Sequence, residues 1–187
     1  PQSYQWGVEG QVDWYEAEAE IDGERRVLQV FCLRSMASGG AFHRAYPRAT
    51  QQAFLEAHEA AFRYFGGVFG VLRYDNLAAA VKKVLRGRTR ELQRAFEAFQ
   101  AHYGFEALFC GPGKGNEKGG VEGGVKYSRH EILSPIPTVD GRDDVQALCE
   151  DWMQRELART MRGRERSIGE LWSLETEQLI ALPPRRF

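Results

Sequence analysis

The chain has 187 residues, of which 43% are hydrophobic and 27% are charged, and its formal net charge at pH 7 is −1. These proportions are typical of a soluble globular protein and exclude a disordered or collagen-like chain. The near-neutral charge argues against a simple nucleic-acid coat protein, and no apolar run approaches the length of a membrane span. The chain begins with Pro1, which predicts a segment cut from a longer protein.

The first part of the chain predicts three antiparallel strands. Residues 11–21 alternate between apolar and acidic side chains, which is the period of a strand with one buried face. Asp22-Gly23 then predicts a hairpin turn, and the nearly continuous apolar stretch at 27–33 predicts a strand buried on both faces. A third strand is predicted at 41–46, and the three strands together form a meander.

The period then becomes helical. Thr50 is a suitable N-cap for a helix whose apolar residues repeat every three or four positions, and Gly66-Gly67 ends it. A strand at 68–74, a helix at 92–103 and a strand at 105–110 are predicted to follow.

The last third of the chain is predicted to be mainly helical. A glycine-rich loop at 111–120 precedes helical patterns at 121–133 and 145–152. Ser167 and Glu170 form a capping box that opens a final helix. The predicted order is βββ-α-β-α-β, followed by helices. It indicates an α/β fold with a five-stranded mixed sheet, a meander followed by strand–helix crossovers, flanked by helices. The RNase H-like fold is one of several α/β folds with this order.

Three acidic residues occupy positions where a metal site would place them. Asp13 lies on the apolar face of the first strand, Asp75 follows the fourth strand, and Glu122 lies in a predicted helix after the glycine-rich loop. Three converging carboxylates would suit a hard cation such as Mg²⁺. Each also has a structural explanation: a hydrogen-bonded buried acid, an N-cap and a surface residue, respectively.

The same stretches resemble a known family. Val12-Asp13-Trp14, the segment 73–76 and the segment 115–123 resemble the DDE integrase core of IstA-type insertion-sequence transposases, as do the segments 44–48, 79–88 and 101–106. The resemblance spans roughly residues 8–180. It implies an RNase H-like fold, and it assigns the catalytic and metal-binding roles to Asp13, Asp75 and Glu122.

The resemblance also implies a reaction and its cofactors. Two Mg²⁺ ions, which Mn²⁺ can replace, would support cleavage at the transposon 3′ ends and then attack of the freed 3′-OH on target DNA. Glu117 lies five positions before Glu122 and competes with it for the third role. We favour Glu122, because Glu117 lies among glycines, where fixing a ligand costs more backbone entropy.

Basic residues near these acids are candidate DNA contacts, with solvated surface charge as the alternative. Six cations against one acid lie between residues 82 and 94, and further cations share a predicted helix face with Glu122. Contacts to phosphate add affinity without reading sequence. The candidates are Lys82, Lys83, Arg86, Arg88, Lys118, Lys126 and Arg129.

The remaining predictions concern organisation and setting. We expect a linker remnant at 1–10, the catalytic core at 11–135 and a C-terminal helical extension at 136–187. The resemblance implies transposon-end and target DNA, an AAA+ ATPase helper (IstB) and self-assembly on DNA as partners, with no membrane. Three distant cysteines, at 32, 110 and 149, favour a reducing cytoplasmic setting. The resemblance implies a bacterial protein associated with the nucleoid. The four histidines match no metal-binding pattern and are interpreted as structural.

Alternative functions are an RNase H-like hydrolytic nuclease and a non-catalytic DNA- or protein-interaction domain of the same fold.

Overall fold

The computed structural model of the chain describes residues 4–74, 90–109 and 132–187. Its centre is one mixed sheet in which five strands follow the order β3-β2-β1-β4-β5, while a sixth pairs with the far end of β1. The strands are β1 (Glu9–Ile21), β2 (Glu24–Ser35), β3 (Ala41–Tyr46), β4 (Val71–Tyr74), β5 (Glu106–Phe109) and β6 (Thr138–Val139). The helices are α1 (Gln51–Phe65), α2 (Arg90–Tyr103), α3 (Arg142–Leu157) and α4 (Ile168–Thr176). The predicted RNase H-like fold class is confirmed.

The β1–β2 hairpin forms as the alternation predicts. The two strands pair antiparallel from Gly10↔Ser35 to Ile21↔Glu24. Asp22 and Gly23 connect them with φ values of 53° and 73°, the left-handed conformation that a two-residue hairpin turn requires at both positions. Val27 differs from the prediction of a strand buried on both faces, since it is 53% exposed. The second strand begins at Glu24, before the predicted 27, and the end of the hairpin near the turn is exposed to solvent.

Two parallel pairings complete the sheet. β1 pairs with β4 from Glu9↔Val71 to Val12↔Tyr74, and β4 pairs with β5 in turn. β4 is shorter than the predicted 68–74, because Val68 forms a bridge with Ile180 near the end of the described chain. The Val68 amide donates to the Ile180 carbonyl at 2.9 Å.

Helices α1 and α2 lie on one face of the sheet. The Thr50 hydroxyl accepts a hydrogen bond from the Ala53 amide at 3.1 Å, and Gly66 ends α1 at φ 76°, as predicted. The buried face of α1 includes Phe54 and Phe62, whose rings contact Phe96 and Phe99 of α2, respectively. This aromatic layer forms most of the core on that side.

Helix α3 covers the opposite face. Trp14 and Phe31 face α1, whereas Tyr15, the next residue of β1, faces α3, because successive strand residues point to opposite sides. Cys149 and Trp152 of α3 are buried against this face. The two-residue β6 was not predicted, since so short a strand after Pro137 carries no periodicity. It pairs parallel with Glu20 and Ile21.

The chain continues from α3 into α4, where the predicted capping box forms. The Glu170 amide donates to the Ser167 hydroxyl at 3.3 Å, and the Ser167 amide donates to the Glu170 carboxylate at 2.7 Å. The domain boundaries stay a prediction. Of the helices in the described ranges, none has the length and apolar character needed to cross a membrane.

Candidate active site

Asp13 lies on the α3 side of β1, in the middle of the sheet. It is half-buried, and its neighbours on the same face, Tyr15, Ala17 and Ala19, are buried. One carboxylate oxygen, Oδ1, accepts a hydrogen bond from the Trp14 amide at 2.8 Å. The acid therefore occupies the apolar face that the alternation predicted, on a central strand of the sheet.

A buried polar cluster lies beside Asp13 on this face. Cys32 is the cross-strand partner of Asp13, and its Sγ lies 3.6 Å from His43 Nε2. The Tyr15 hydroxyl lies 3.2 Å from His43 Nδ1. A neutral imidazole donates through one nitrogen and accepts through the other, so His43 can satisfy both neighbours at once.

Burial keeps this cluster uncharged. Desolvation, with a smaller effect from the charge of Arg34, lowers the pKa of His43 to about 3. Desolvation and, secondly, the negative charge of Asp13 raise the pKa of the Cys32 thiol well above its usual value. At neutral pH the Cys32 thiol opposite Asp13 and the His43 imidazole that contacts this thiol are therefore both neutral.

The end of β4 lies beside Asp13 on the neighbouring strand. Tyr74, the last residue of β4, is in register with Val12, the residue before Asp13. Its hydroxyl donates to His58 Nε2 at 3.0 Å, because His58 Nδ1 already uses its hydrogen on the Phe54 carbonyl at 2.7 Å. Burial lowers the pKa of His58 to about 4, so the imidazole is neutral and holds this tautomer. Tyr74 is thus fixed by α1 one residue before Asp75.

The other predicted site residues lie outside the described residues. Asp75, Glu122 and its competitor Glu117 fall in the ranges 75–89 and 110–131. So do all the basic candidates: Lys82, Lys83, Arg86, Arg88, Lys118, Lys126 and Arg129. Their roles stay predictions, and among the predicted site residues only Asp13 has a described environment. Within the described ranges, no group of three or more His, Cys, Asp or Glu side chains could hold a metal ion.

Sequence reasoning missed how the two buried histidines are used. The sequence favours a structural role for both, but it predicts neither the Tyr15–His43–Cys32 cluster nor the His58–Tyr74 hydrogen bond. The sequence does contain a signal for the hydrogen bond between His58 and the Phe54 carbonyl. His58 lies four positions after Phe54 on the predicted helix, so its side chain lies close to that carbonyl. The contacts of His43 join three strand positions far apart in sequence, so no local pattern reveals them.

The sheet order and the flanking helices are those of integrase catalytic cores. The catalytic core domain of HTLV-2 integrase, solved in complex with magnesium, superposes with a TM-score of 0.53 over 91% of this chain and 99% of that one, at 13% identity. A simian T-cell lymphotropic virus intasome, solved in complex with PP2A regulatory subunit B56 gamma, gives 0.55 over 98% of this chain and 60% of that one, at 12% identity. At such low identity the similarity establishes the fold alone.

Sequence comparison identifies the nearer relatives. A transposase of Aminobacter aminovorans is 37% identical over 98% of the chain. The transposase for insertion sequences IS1326/IS1353 of Pseudomonas aeruginosa is 32% identical over 98%, and that for IS21 of the same species is 31% identical over 95%. The chain spans 36% of the length of the first two relatives and 45% of the third, and no family model matches it. The chain is homologous to insertion-sequence transposases. The predicted resemblance to an IstA-type integrase core is thereby confirmed.

Proposed function

We propose that the chain is the catalytic core of a DDE-type DNA transposase. In this proposal it cleaves DNA at the transposon 3′ ends and joins each freed 3′-OH to target DNA. The observation that carries the proposal is the parallel register Val12↔Tyr74, which sets the carboxyl end of β4 beside Asp13. Asp75 follows Tyr74 directly, and a trans peptide spaces consecutive Cα atoms about 3.8 Å apart. The proposal therefore assigns the second acid of the predicted triad to the residue that follows β4, the strand paired with β1.

The described part of the site fits a divalent cation. Asp13 is half-buried on the sheet, opposite Cys32, whose thiol is neutral. Carboxylate oxygens are the ligands that Mg²⁺ prefers. Asp13, Asp75 and Glu122 would hold the ions, and one relative in fold, the HTLV-2 core, was solved with magnesium.

The proposed reaction is phosphoryl transfer between oxygen atoms. Two bound Mg²⁺ ions would stabilise the attacking and leaving oxygens in an in-line displacement. The attacking group is water in the first step, which releases the transposon 3′-OH, and that hydroxyl in the second step. The acids of the chain bind and orient, and no side chain becomes covalently attached to DNA.

The wider predictions belong to the same proposal. The basic residues predicted near Asp75 and Glu122 would contact DNA phosphates, and such contacts position a duplex without reading its sequence. Joining two transposon ends needs at least two catalytic domains, so we propose self-assembly on DNA at the bacterial nucleoid. The IstB helper stays a prediction from the family resemblance.

The proposal is tested by metal-dependent joining in the full-length protein that carries this chain. Asp13→Asn and Asp75→Asn should each lower strand transfer more than about a hundredfold, because each removes part of several kcal/mol of transition-state stabilisation. DNA binding should persist. Glu20→Gln is the matched control, since Glu20 is an exposed acid on the same strand. Near-normal joining by either aspartate variant would contradict the proposal, and cleavage without any joining would favour the hydrolytic nuclease.

The identity of the third acid is tested in the same assay. Glu122→Gln should abolish joining, whereas Glu117→Gln should leave it largely intact. Five residues correspond to about 140° around a helix, so both side chains cannot face one metal pair. Loss of joining with Glu117→Gln and retention with Glu122→Gln would reverse the assignment.

A further inference from the structure

The connection between α3 and α4 carries a concentrated positive charge. Residues 158–167, here called the arginine loop, hold four arginines and one acid, in a chain whose net charge is −1. Arg159 is paired with Glu156 at 2.7 Å. The other three, Arg162, Arg164 and Arg166, are exposed, and none of them forms an ion pair within the described part of the chain.

The arginine loop has a defined backbone. Thr160 and Ser167 form an antiparallel bridge across its base, and the Ile168 amide donates to the Arg159 carbonyl at 2.9 Å. At the tip, the Arg164 amide donates to the Met161 carbonyl at 3.0 Å around Gly163, whose φ is 80°. The three exposed guanidinium groups therefore extend from a closed turn fixed between two helices.

The arginine loop is attached to the sheet face that carries Asp13. The Arg34 guanidinium lies 4.0 Å from Met161 Sδ, and the Met161 side chain packs against Gly39. Arg34 pairs with Gln11, which lies two residues before Asp13 on the same face. Arg34 and Asp13 are thus separated by two residues along the strand and one spacing between strands, which puts their Cα atoms about 8 Å apart. Through Met161 the arginine loop thus contacts β2, the strand that pairs with β1 and carries the residue opposite Asp13.

We infer that the arginine loop is a DNA-backbone contact surface that holds the duplex beside the catalytic acids without reading its sequence. The inference rests on the proposed function, which brings DNA to Asp13. Arginine suits this role, because its planar guanidinium donates two parallel hydrogen bonds to a phosphate. The seven basic residues predicted from the sequence do not include this surface.

The test is the salt dependence of DNA binding by the 187-residue chain. Fluorescence anisotropy would follow two unrelated duplexes of about 30 base pairs, three helical turns, between about 50 and 200 mM salt. The plot of log K against log salt has a negative slope. The triple variant Arg162→Gln, Arg164→Gln, Arg166→Gln should make this slope less steep by about two to three, equally for both DNA sequences. Affinity at the lowest salt should fall more than about tenfold.

A matched control separates a local contact from net charge. Arg142→Gln, Arg185→Gln, Arg186→Gln removes the same charge from exposed positions elsewhere and should leave the slope nearly unchanged. An unchanged slope in the loop variant, or equal losses in both variants, would overturn the inference. If the arginine loop bound an acidic protein surface instead of DNA, the slope of the loop variant would be unchanged. Joining by the unmodified full-length protein reports separately on the proposed function, so each can fail without the other.

Discussion

The two faces of the sheet each bury a histidine, and they use it differently. On the α1 side, His58 has one tautomer, because a carbonyl takes its Nδ1 hydrogen and Tyr74 donates to Nε2. On the α3 side, His43 lies between a hydroxyl and a thiol, and its two nitrogens can exchange roles. The first arrangement fixes the end of β4. The second keeps neutral groups beside Asp13. His58 therefore positions a strand end, whereas His43 sets the electrostatic environment of an acid.

The largest effect should come from the aromatic layer on the α1 side. Phe62 is fully buried and contacts His58, Phe99 and Tyr103. Phe62→Ala should lower the free energy of unfolding by about 3–5 kcal/mol, since it removes a large core side chain and leaves a cavity. Chemical denaturation measures this. Phe187→Ala is the control: Phe187 is 51% exposed, so this substitution should lower the free energy of unfolding far less. Equal decreases for the two variants would contradict the burial of Phe62.

Acid should weaken both faces through their histidines. The folded pKa values of His43 and His58, about 3 and about 4, lie below the usual 6.5, so the unfolded chain binds protons first. Stability is therefore complete above pH 6.5 and falls as the pH drops towards 4. From pH 7 to pH 5 each histidine should cost on the order of 2 kcal/mol.

Nuclear magnetic resonance can assign that acid sensitivity to the two rings. The imidazole nitrogens of His43 and His58 should keep neutral chemical shifts down to pH 5, and His58 should carry its hydrogen on Nδ1. Conversion of either ring to the charged form above pH 5 in the folded protein would contradict the described burial.

A smaller effect should distinguish the two histidines from each other. Tyr74→Phe removes the donor to His58 Nε2 and leaves a buried acceptor unsatisfied, which should cost about 1–2 kcal/mol. Tyr15→Phe should cost less, because its contact with His43 is longer, at 3.2 Å against 3.0 Å, and Cys32 remains as a partner. Urea midpoints would show the order, and a larger cost for Tyr15→Phe would reverse the comparison.

Local chemistry explains which parts of the fold the sequence predicts. The β1–β2 turn and the ends of α1 depend on residues close together, namely Asp22-Gly23, Thr50 and Gly66, and all three predictions are confirmed. β6 and the shortening of β4 depend on distant partners, β1 and Ile180, so periodicity could not reveal them. The face of Asp13 follows from strand alternation, whereas its Cys32–His43 surroundings require the register of three strands.

The central claim is that Asp13, Asp75 and Glu122 bind a pair of divalent cations. Anomalous diffraction from crystals soaked in Mn²⁺, with the protein bound to transposon-end DNA, tests it most directly. We predict manganese peaks bridged by these three carboxylates, with the two ions about 3.5–4 Å apart. Ordered carboxylates lying more than about 10 Å from one another, too far to share such a pair, would contradict the claim.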